Sequence, residues 1–172
     1  NFPEFEKLRP AQIKKMIDPI MLVGTLPLGE VKNVVDYILK YKLPVYAESL
    51  SNLRGHPEIQ PYLIQGGEKS VTALVQQNIC KSILRVGGVP TLRLWRDLEY
   101  GFKTVPVYSI NQVEFSGLSR PSFCWSDFSN LKYLVPENKA EDLEKIKLID
   151  QKYSLQLQDL IWGLQDSEVA MI

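Results

Sequence analysis

Two arginines of the sequence are the side chains best suited to bind an anion. Arg93 falls in the first turn of a predicted helix, just after a Gly-x-x-Pro turn, and Arg54 lies in the loop-like run ESLSNLRGH. A guanidinium binds carboxylate or phosphate through paired hydrogen bonds, so both arginines are candidate substrate contacts. Each has a structural alternative. Arg93 could instead pair with Glu30, and Arg54 could anchor its loop to a carboxylate or to a helix C-terminus.

Glu48 raises the question of dinucleotide binding, because it ends a predicted strand 24 residues after Gly24, where an acidic residue would contact a ribose. The glycines do not fit that function. The stretch GTLPLG lacks the pattern Gly-x-Gly-x-x-Gly, and Leu26 and Pro27 stand where small residues would let the backbone approach a pyrophosphate. We therefore predict that Glu48 caps or fixes a loop and that the chain has no cofactor-binding residue.

Nucleophilic and metal-dependent catalysis find no support in the sequence. His56 is the only histidine, and it precedes Pro57 in a turn-like stretch without an evident orienting partner, so we expect a surface histidine. Cys80 and Cys124 have no metal-ligand spacing to each other or to His56. Both lie in apolar stretches, which favours buried thiols in the reducing cytoplasm. We predict no catalytic residue and no metal ligand.

Short apolar runs alternate with amphipathic segments, which predicts an α/β fold. The predicted strands are IMLVG, LPVYAE, SILRVG, VPVYSIN and SFCW, with a further short strand near Tyr62 to Ile64. We expect a doubly wound, Rossmann-like sheet of about six mostly parallel strands with helices on both faces. Helices are predicted around Glu68 to Gln77 and from Pro90, and Ser126 is the expected N-cap of another short helix.

The predicted organisation has three parts. Residues 1–18 form a linker and a short helix around Ala11 to Met16, residues 19–135 form the α/β domain, and residues 136–172 form a C-terminal helical segment. The chain begins at Asn1 and ends in the amphipathic stretch LQLQDLIWGLQDSEVAMI, so we expect a fragment of a longer protein. Whether the last segment packs on the core is left open.

A weak internal repeat locates the centre of the predicted sheet. IMLVGTLPLGEV aligns without gaps on ILRVGGVPTLRL, which matches Gly24 with Gly87 and Pro27 with Pro90. Two halves with the same strand-to-helix turn are what a doubly wound sheet is built from, so the two turns should face one another. A ligand would bind between them, at the carboxyl ends of the two strands, where helix N-termini point their amides outward.

Composition excludes several partners. The chain has 172 residues, 45% of them hydrophobic, and its twenty basic residues balance twenty acidic ones. Because the chain has no net charge, it lacks the positive field that attracts nucleic acid or an anionic membrane. No apolar run approaches the roughly 18 to 20 residues that a membrane helix needs.

Two stretches carry a resemblance to a known family. LPVYAESLSNLRGH resembles a Pro-led strand followed by an acidic residue and then Leu-Ser-Asn-Leu-Arg, with Glu48 where the family usually has Asp. SILRVGGVPTLRLWRDL resembles a strand ending in Arg-x-Gly, then x-x-Pro and a basic residue that begins a helix; Arg93 stands where Lys is common and Leu92 where Ser or Gly is usual. Over residues 15–135 the chain thus resembles the central domain of the thiamine-diphosphate-dependent 2-succinyl-5-enolpyruvyl-6-hydroxy-3-cyclohexene-1-carboxylate synthases.

The resemblance implies a homo-oligomeric, cytoplasmic transferase of menaquinone biosynthesis that adds decarboxylated 2-oxoglutarate to isochorismate. It also implies flanking pyrimidine- and diphosphate-binding domains that hold thiamine diphosphate and Mg²⁺ or Mn²⁺. The sequence contains no Gly-Asp-Gly motif, so this chain alone should be inactive. The family's basic residue at the helix start lies near the substrate, which makes Arg93 the implied substrate contact. The alternatives are a stand-alone nucleotide- or anion-binding module and an interaction domain.

Overall fold

The computed structural model describes residues 13–113, 115–138 and 140–169. Its strands are β1 (Lys14–Ile17), β2 (Pro19–Val23), β3 (Val45–Ala47), β4 (Ser82–Val86), β5 (Val107–Ile110), β6 (Phe123–Trp125) and β7 (Leu134–Glu137). Its α-helices are α1 (Val31–Tyr41), α2 (Gly67–Gln76), α3 (Arg93–Asp97) and α4 (Ala140–Val169). Short 3₁₀ helices cover Leu28–Glu30, Ser49–Ser51, Pro57–Tyr62 and Phe128–Tyr133.

The main sheet is parallel throughout, with the strand order β3-β2-β4-β5-β6. From β2 the chain winds outward to β3, and from β4 it winds in the opposite direction to β5 and β6. The order therefore reverses between β2 and β4, where the internal repeat places it. The predicted doubly wound fold is confirmed, with five strands in this sheet and a separate parallel pair formed by β1 and β7. The strand expected near Tyr62 is a single bridge between Val45 and Leu63.

Side chains of the central strands alternate between two apolar cores. Met21 and Val23 pack on the side of α1, whereas Ile20 and Leu22 pack on the side of α2 and α3. All five residues of β2 and all five of β4 are buried. A parallel strand covered by helices on both faces has no solvent-facing side, which is why these strands are continuous apolar runs with few interruptions.

The two Gly-x-x-Pro turns meet at the centre of the sheet. Gly24 N–H donates to Val86 O at 3.1 Å, and Gly88 N–H donates to Thr25 O at 2.9 Å. A Cβ atom on Gly24 would lie 2.6 Å from Gly88 O, so a side chain at this position would push the turns apart. Gly87 has a φ of +82°, which a residue without Cβ adopts at little cost.

Three predicted boundaries are wrong. Residues 14–17 form strand β1 in place of the end of the short helix expected around 11–16, and residues 1–12 lie outside the described part. Pairing with β7 favours a strand over a helix here, because it buries Met16 completely and joins Lys15 to Glu137 at 2.6 Å. Helix α3 begins at Arg93 rather than at Pro90. The N-cap of the 3₁₀ helix after β6 is Asp127 rather than Ser126.

Helix α4 packs on the domain through its first half. Leu143, Ile146 and Ile149 join the core beside α2. The Asp150 carboxylate accepts bonds from the N–H groups of Gln65, at 2.9 and 3.1 Å, and Gly66, at 2.8 Å.

The Ser70 hydroxyl adds a fourth bond to Asp150, at 2.8 Å. These contacts place the Asp150 carboxylate at the N-terminus of α2, where negative charge is favourable. None of the helices in the described part of the chain combines the length and the apolar character needed to cross a membrane.

Replacing Gly24 with alanine should lower the free energy of unfolding by about 1–3 kcal/mol, the usual cost of forcing extra atoms into a packed interior. Urea denaturation of the 172-residue chain measures this. Gly29→Ala is the matched control, because a Cβ there meets no atom within 4 Å and should change stability by less than about 1 kcal/mol. Equal effects of the two substitutions would contradict the close approach.

Candidate functional site

A crevice opens where the strand order reverses, at the carboxyl ends of β2, β4 and β5. Its volume is about 240 Å³. The lining residues include Thr25, Arg85, Gly88, Asn111 and Phe115. This is the place where doubly wound sheets bind ligands.

Arg85 is the cation beneath this crevice, and its side chain is 1% exposed. Its guanidinium donates to three main-chain carbonyls: Gly87 O at 3.0 and 3.2 Å, Phe115 O at 3.0 Å and Ser116 O at 2.5 Å. Burial lowers the pKa of Arg85 to about 10, so it stays protonated at neutral pH. With four of its five N–H donors bonded to carbonyls, Arg85 fixes the loop after β5 to the end of β4.

Sequence reasoning did not select Arg85 as a functional residue, although it lies in the Arg-x-Gly motif. The available signal was a single charge inside an otherwise apolar strand. A charge that is buried in such a strand needs several hydrogen-bond partners, which predicts a structural anchor or a binding residue.

Arg93 is the first residue of α3, and its side chain is 73% exposed. Its Nε atom lies 3.7 Å from Oδ2 of Asp97, one helical turn later. The alternative pair with Glu30 is not formed, because the Glu30 carboxylate instead accepts a bond from Asn33 Nδ2 at 2.9 Å. An exposed pair of this kind contributes little to stability, so Arg93 can exchange Asp97 for an anionic ligand.

Two glutamates hold the backbone on either side of Arg93. Glu48 Oε1 accepts from the Thr91 N–H at 2.6 Å and from the Thr91 hydroxyl at 2.8 Å. Glu68 Oε1 accepts from the Leu94 N–H at 2.8 Å. The prediction that Glu48 fixes a loop is thereby confirmed. The expected outward-pointing amides are not open to a ligand at Thr91 and Leu94, since carboxylates of the domain already bind them.

Arg54 lies in a different place, beside the carboxyl end of β3. Its Nε donates to Ala47 O at 2.7 Å, so it anchors its loop to a strand carbonyl rather than to a carboxylate or a helix end. It lines a cleft of about 500 Å³ together with Tyr46, Gln60 and Leu157. Burial raises the pKa of the Tyr46 hydroxyl, and the Arg54 charge partly opposes that rise. Arg54 and Arg85 thus line separate clefts.

The remaining candidates have local partners. His56 Nδ1 lies 3.2 Å from Glu58 Oε1 at the surface. Cys80 and Cys124 are both buried, and Asn111 Nδ2 lies 3.4 Å from the Cys124 sulfur. Within residues 13–113, 115–138 and 140–169 no group of three or more His, Cys, Asp or Glu side chains is arranged to hold a metal.

Fold and crevice together define a doubly wound, Rossmann-like α/β domain. No protein-family model matches the sequence. Over 154 residues, or 90% of its length, the chain is 38% identical to 2-succinyl-5-enolpyruvyl-6-hydroxy-3-cyclohexene-1-carboxylate synthase of Bdellovibrio bacteriovorus, of which it covers 29%. It is 25% identical over 169 residues to the synthase of that name from Akkermansia muciniphila, of which it covers 30%. The chain is therefore homologous, over most of its length, to less than a third of these synthases, which confirms the resemblance to these enzymes.

Arg85→Lys should lower the free energy of unfolding by about 2–3 kcal/mol, because an ammonium cannot reproduce the fork of bonds to three carbonyls. Thermal and urea denaturation measure the loss. The control is Arg96→Lys in α3, which is exposed and should stay within about 0.5 kcal/mol of the parent. An Arg85→Lys chain as stable as the control would show that the carbonyl bonds contribute nothing.

Proposed function

We propose that this chain is the structural central domain of a thiamine-diphosphate-dependent carboligase that adds decarboxylated 2-oxoglutarate to isochorismate. The observation that carries the proposal is the match to the Bdellovibrio bacteriovorus synthase. The identity is 38%, and the match covers 90% of this chain and 29% of that synthase. The activity belongs to the whole enzyme. The domain's work is to space the cofactor-binding domains on either side and to supply cationic contacts to the carboxylates of the substrates.

The described residues do not fit the cofactor itself. A thiamine diphosphate site needs acidic and carbonyl ligands that hold a divalent ion against the diphosphate. The sequence has no Gly-Asp-Gly motif, and the described part has no metal-ligand cluster. We therefore assign thiamine diphosphate and Mg²⁺ or Mn²⁺ to the flanking domains, and no catalytic residue to this chain.

Arg93 is the substrate contact that we propose for this domain. Its charge is exposed, while the backbone on both sides of it is held by glutamates. A guanidinium in that setting binds a carboxylate through two parallel bonds. Arg54 is a second, weaker candidate, because one of its nitrogens is already bonded to Ala47 O.

In the full-length enzyme, Arg93→Gln should lower kcat/KM about 10- to 100-fold, because a charge-assisted hydrogen bond to a carboxylate contributes about 1.5–3 kcal/mol. Arg93→Lys should keep part of the activity, since it keeps the charge. Arg96→Gln, three residues further along α3, is the matched control and should stay within twofold. Full activity in Arg93→Gln would end the assignment of this residue.

Exposed apolar side chains of α4 beyond Leu157 support the proposal that more protein packs against this domain. The stripe formed by Leu143, Ile146, Asp150, Tyr153 and Leu157 faces α2 and the neighbouring cleft. The same stripe continues to Leu160 and Ile161, which are 57% and 48% exposed. The apolar stripe has helical spacing and continues beyond the part of α4 that packs on α2. We infer that the following domain supplies a surface that covers the rest of the stripe.

Leu160→Glu should leave the stability of the 172-residue chain within about 0.5 kcal/mol, because the side chain is already in water. In the full-length enzyme it should lower the melting temperature by several degrees, since it would bury a charge. Leu148→Glu is the control: Leu148 is 67% exposed and lies on the opposite side of the helix. Equal melting temperatures for the two full-length variants would contradict the proposal that a domain docks at this stripe.

The alternative is a stand-alone nucleotide- or anion-binding module that uses the crevice above Arg85, where doubly wound sheets bind ligands. The small volume of the crevice, about 240 Å³, and the direction of the Arg85 donors toward carbonyls support the central domain over this module. Thermal-shift measurements separate the functions. Stabilisation of the 172-residue chain by adenine nucleotides would favour the module, whereas no shift with nucleotides or thiamine diphosphate fits a central domain or an interaction domain.

A further inference from the structure

We propose that Glu48 and Glu68 are positioning residues that hold the segment Thr91–Leu94 so that Arg93 meets its anionic substrate. This inference rests on the proposed role of Arg93 and extends it to two residues that do not touch the substrate. It concerns the connection from Gly87 to Leu92, which joins β4 to α3 and has no regular secondary structure.

Glu48 is itself held rigidly. Its N–H donates to Val23 O at 2.9 Å, at the carboxyl end of β2. Its own carbonyl accepts bonds from the Ser51 N–H at 3.0 Å and the Ser51 hydroxyl at 2.6 Å. The backbone of Glu48 is therefore tied to the centre of the sheet. Its carboxylate in turn holds Thr91 in place through the two bonds described above.

Glu68 acts from the opposite direction, from the first turn of α2. Its bond to the Leu94 N–H fixes the residue that follows Arg93. The side chains of Leu92 and Leu94 are 7% and 0% exposed and pack in the core with α2. Arg93 thus lies between two anchored neighbours, and its side chain is directed outward by them.

The two carboxylates also determine which group an anion can use. The amides of Thr91 and Leu94 are already bonded to carboxylates, and those carboxylates repel an approaching anion. The Arg93 guanidinium makes no hydrogen bond to the described residues, and its contact with Asp97 is an ion pair of 3.7 Å at Nε. The positioning residues therefore make the guanidinium the point of contact and fix its starting position.

Hydrogen exchange on the 172-residue chain tests the anchoring directly. Glu48→Ala should speed exchange of the Thr91 amide at least tenfold, and Glu68→Ala should do the same for the Leu94 amide. Asp127→Ala is the matched control, because the Asp127 carboxylate also accepts a backbone N–H at 2.8 Å and a hydroxyl at 2.6 Å, both from Ser129. It should leave Thr91 and Leu94 unchanged. Unchanged exchange in the glutamate variants would overturn the anchoring.

Kinetics of the full-length enzyme test the consequence. For the carboxylate substrate whose KM rises in Arg93→Gln, Glu48→Ala should raise KM about three- to tenfold with kcat within twofold. Glu48→Gln, which keeps an acceptor oxygen and guards against misfolding of the alanine variant, should recover most of the loss. In the Arg93→Gln background Glu48→Ala should add nothing, because a positioning residue has no effect once its target is gone.

The outcomes separate the two proposals. A normal KM in Arg93→Gln would overturn both the proposed substrate contact and the proposed positioning. A raised KM in Arg93→Gln with a normal KM in Glu48→Ala would overturn the positioning alone. An additive loss in the double variant would also overturn it, because Glu48 would then act independently of Arg93.

Discussion

Contact between two backbone turns at the centre of the sheet constrains the rest of this domain. Gly24 and Gly88 approach so closely that no side chain fits between them. Because β2 and β4 are neighbours, the chain must leave this point in opposite directions, with α1 on one face and α2 and α3 on the other. The crevice at the strand ends follows from that divergence and needs no further specification by the sequence.

Polar groups along the carboxyl edge of the main sheet are directed largely at the protein's own backbone. Arg85 binds three carbonyls, Glu48 and Glu68 bind amides, and Arg54 binds the end of β3. These bonds connect loops from different halves of the fold at the edge where chemistry would take place. In the role that we propose, with one exposed cation supplied to an active site built mainly by other domains, this rigidity matters more than a deep pocket.

The repeat explains why so much of the architecture could be predicted. Gly24 with Gly87 and Pro27 with Pro90 identified the central strands, because the same turn recurs only where the same geometry is needed. Strand β1 could not be predicted, since its partner β7 lies more than a hundred residues away and local propensity carries no record of it. Arg85 was missed because the number of carbonyls that converge on one guanidinium depends on tertiary structure.

The Asp150 contact has a mechanical consequence. From Asp150 to the last residue of α4, Val169, the helix extends about 28 Å at 1.5 Å per residue. Over that length, a tilt of α2 by a few degrees, if α4 followed it, would displace Val169 by about 2 Å. The bonds at Asp150 therefore fix the direction in which α4 leaves the domain.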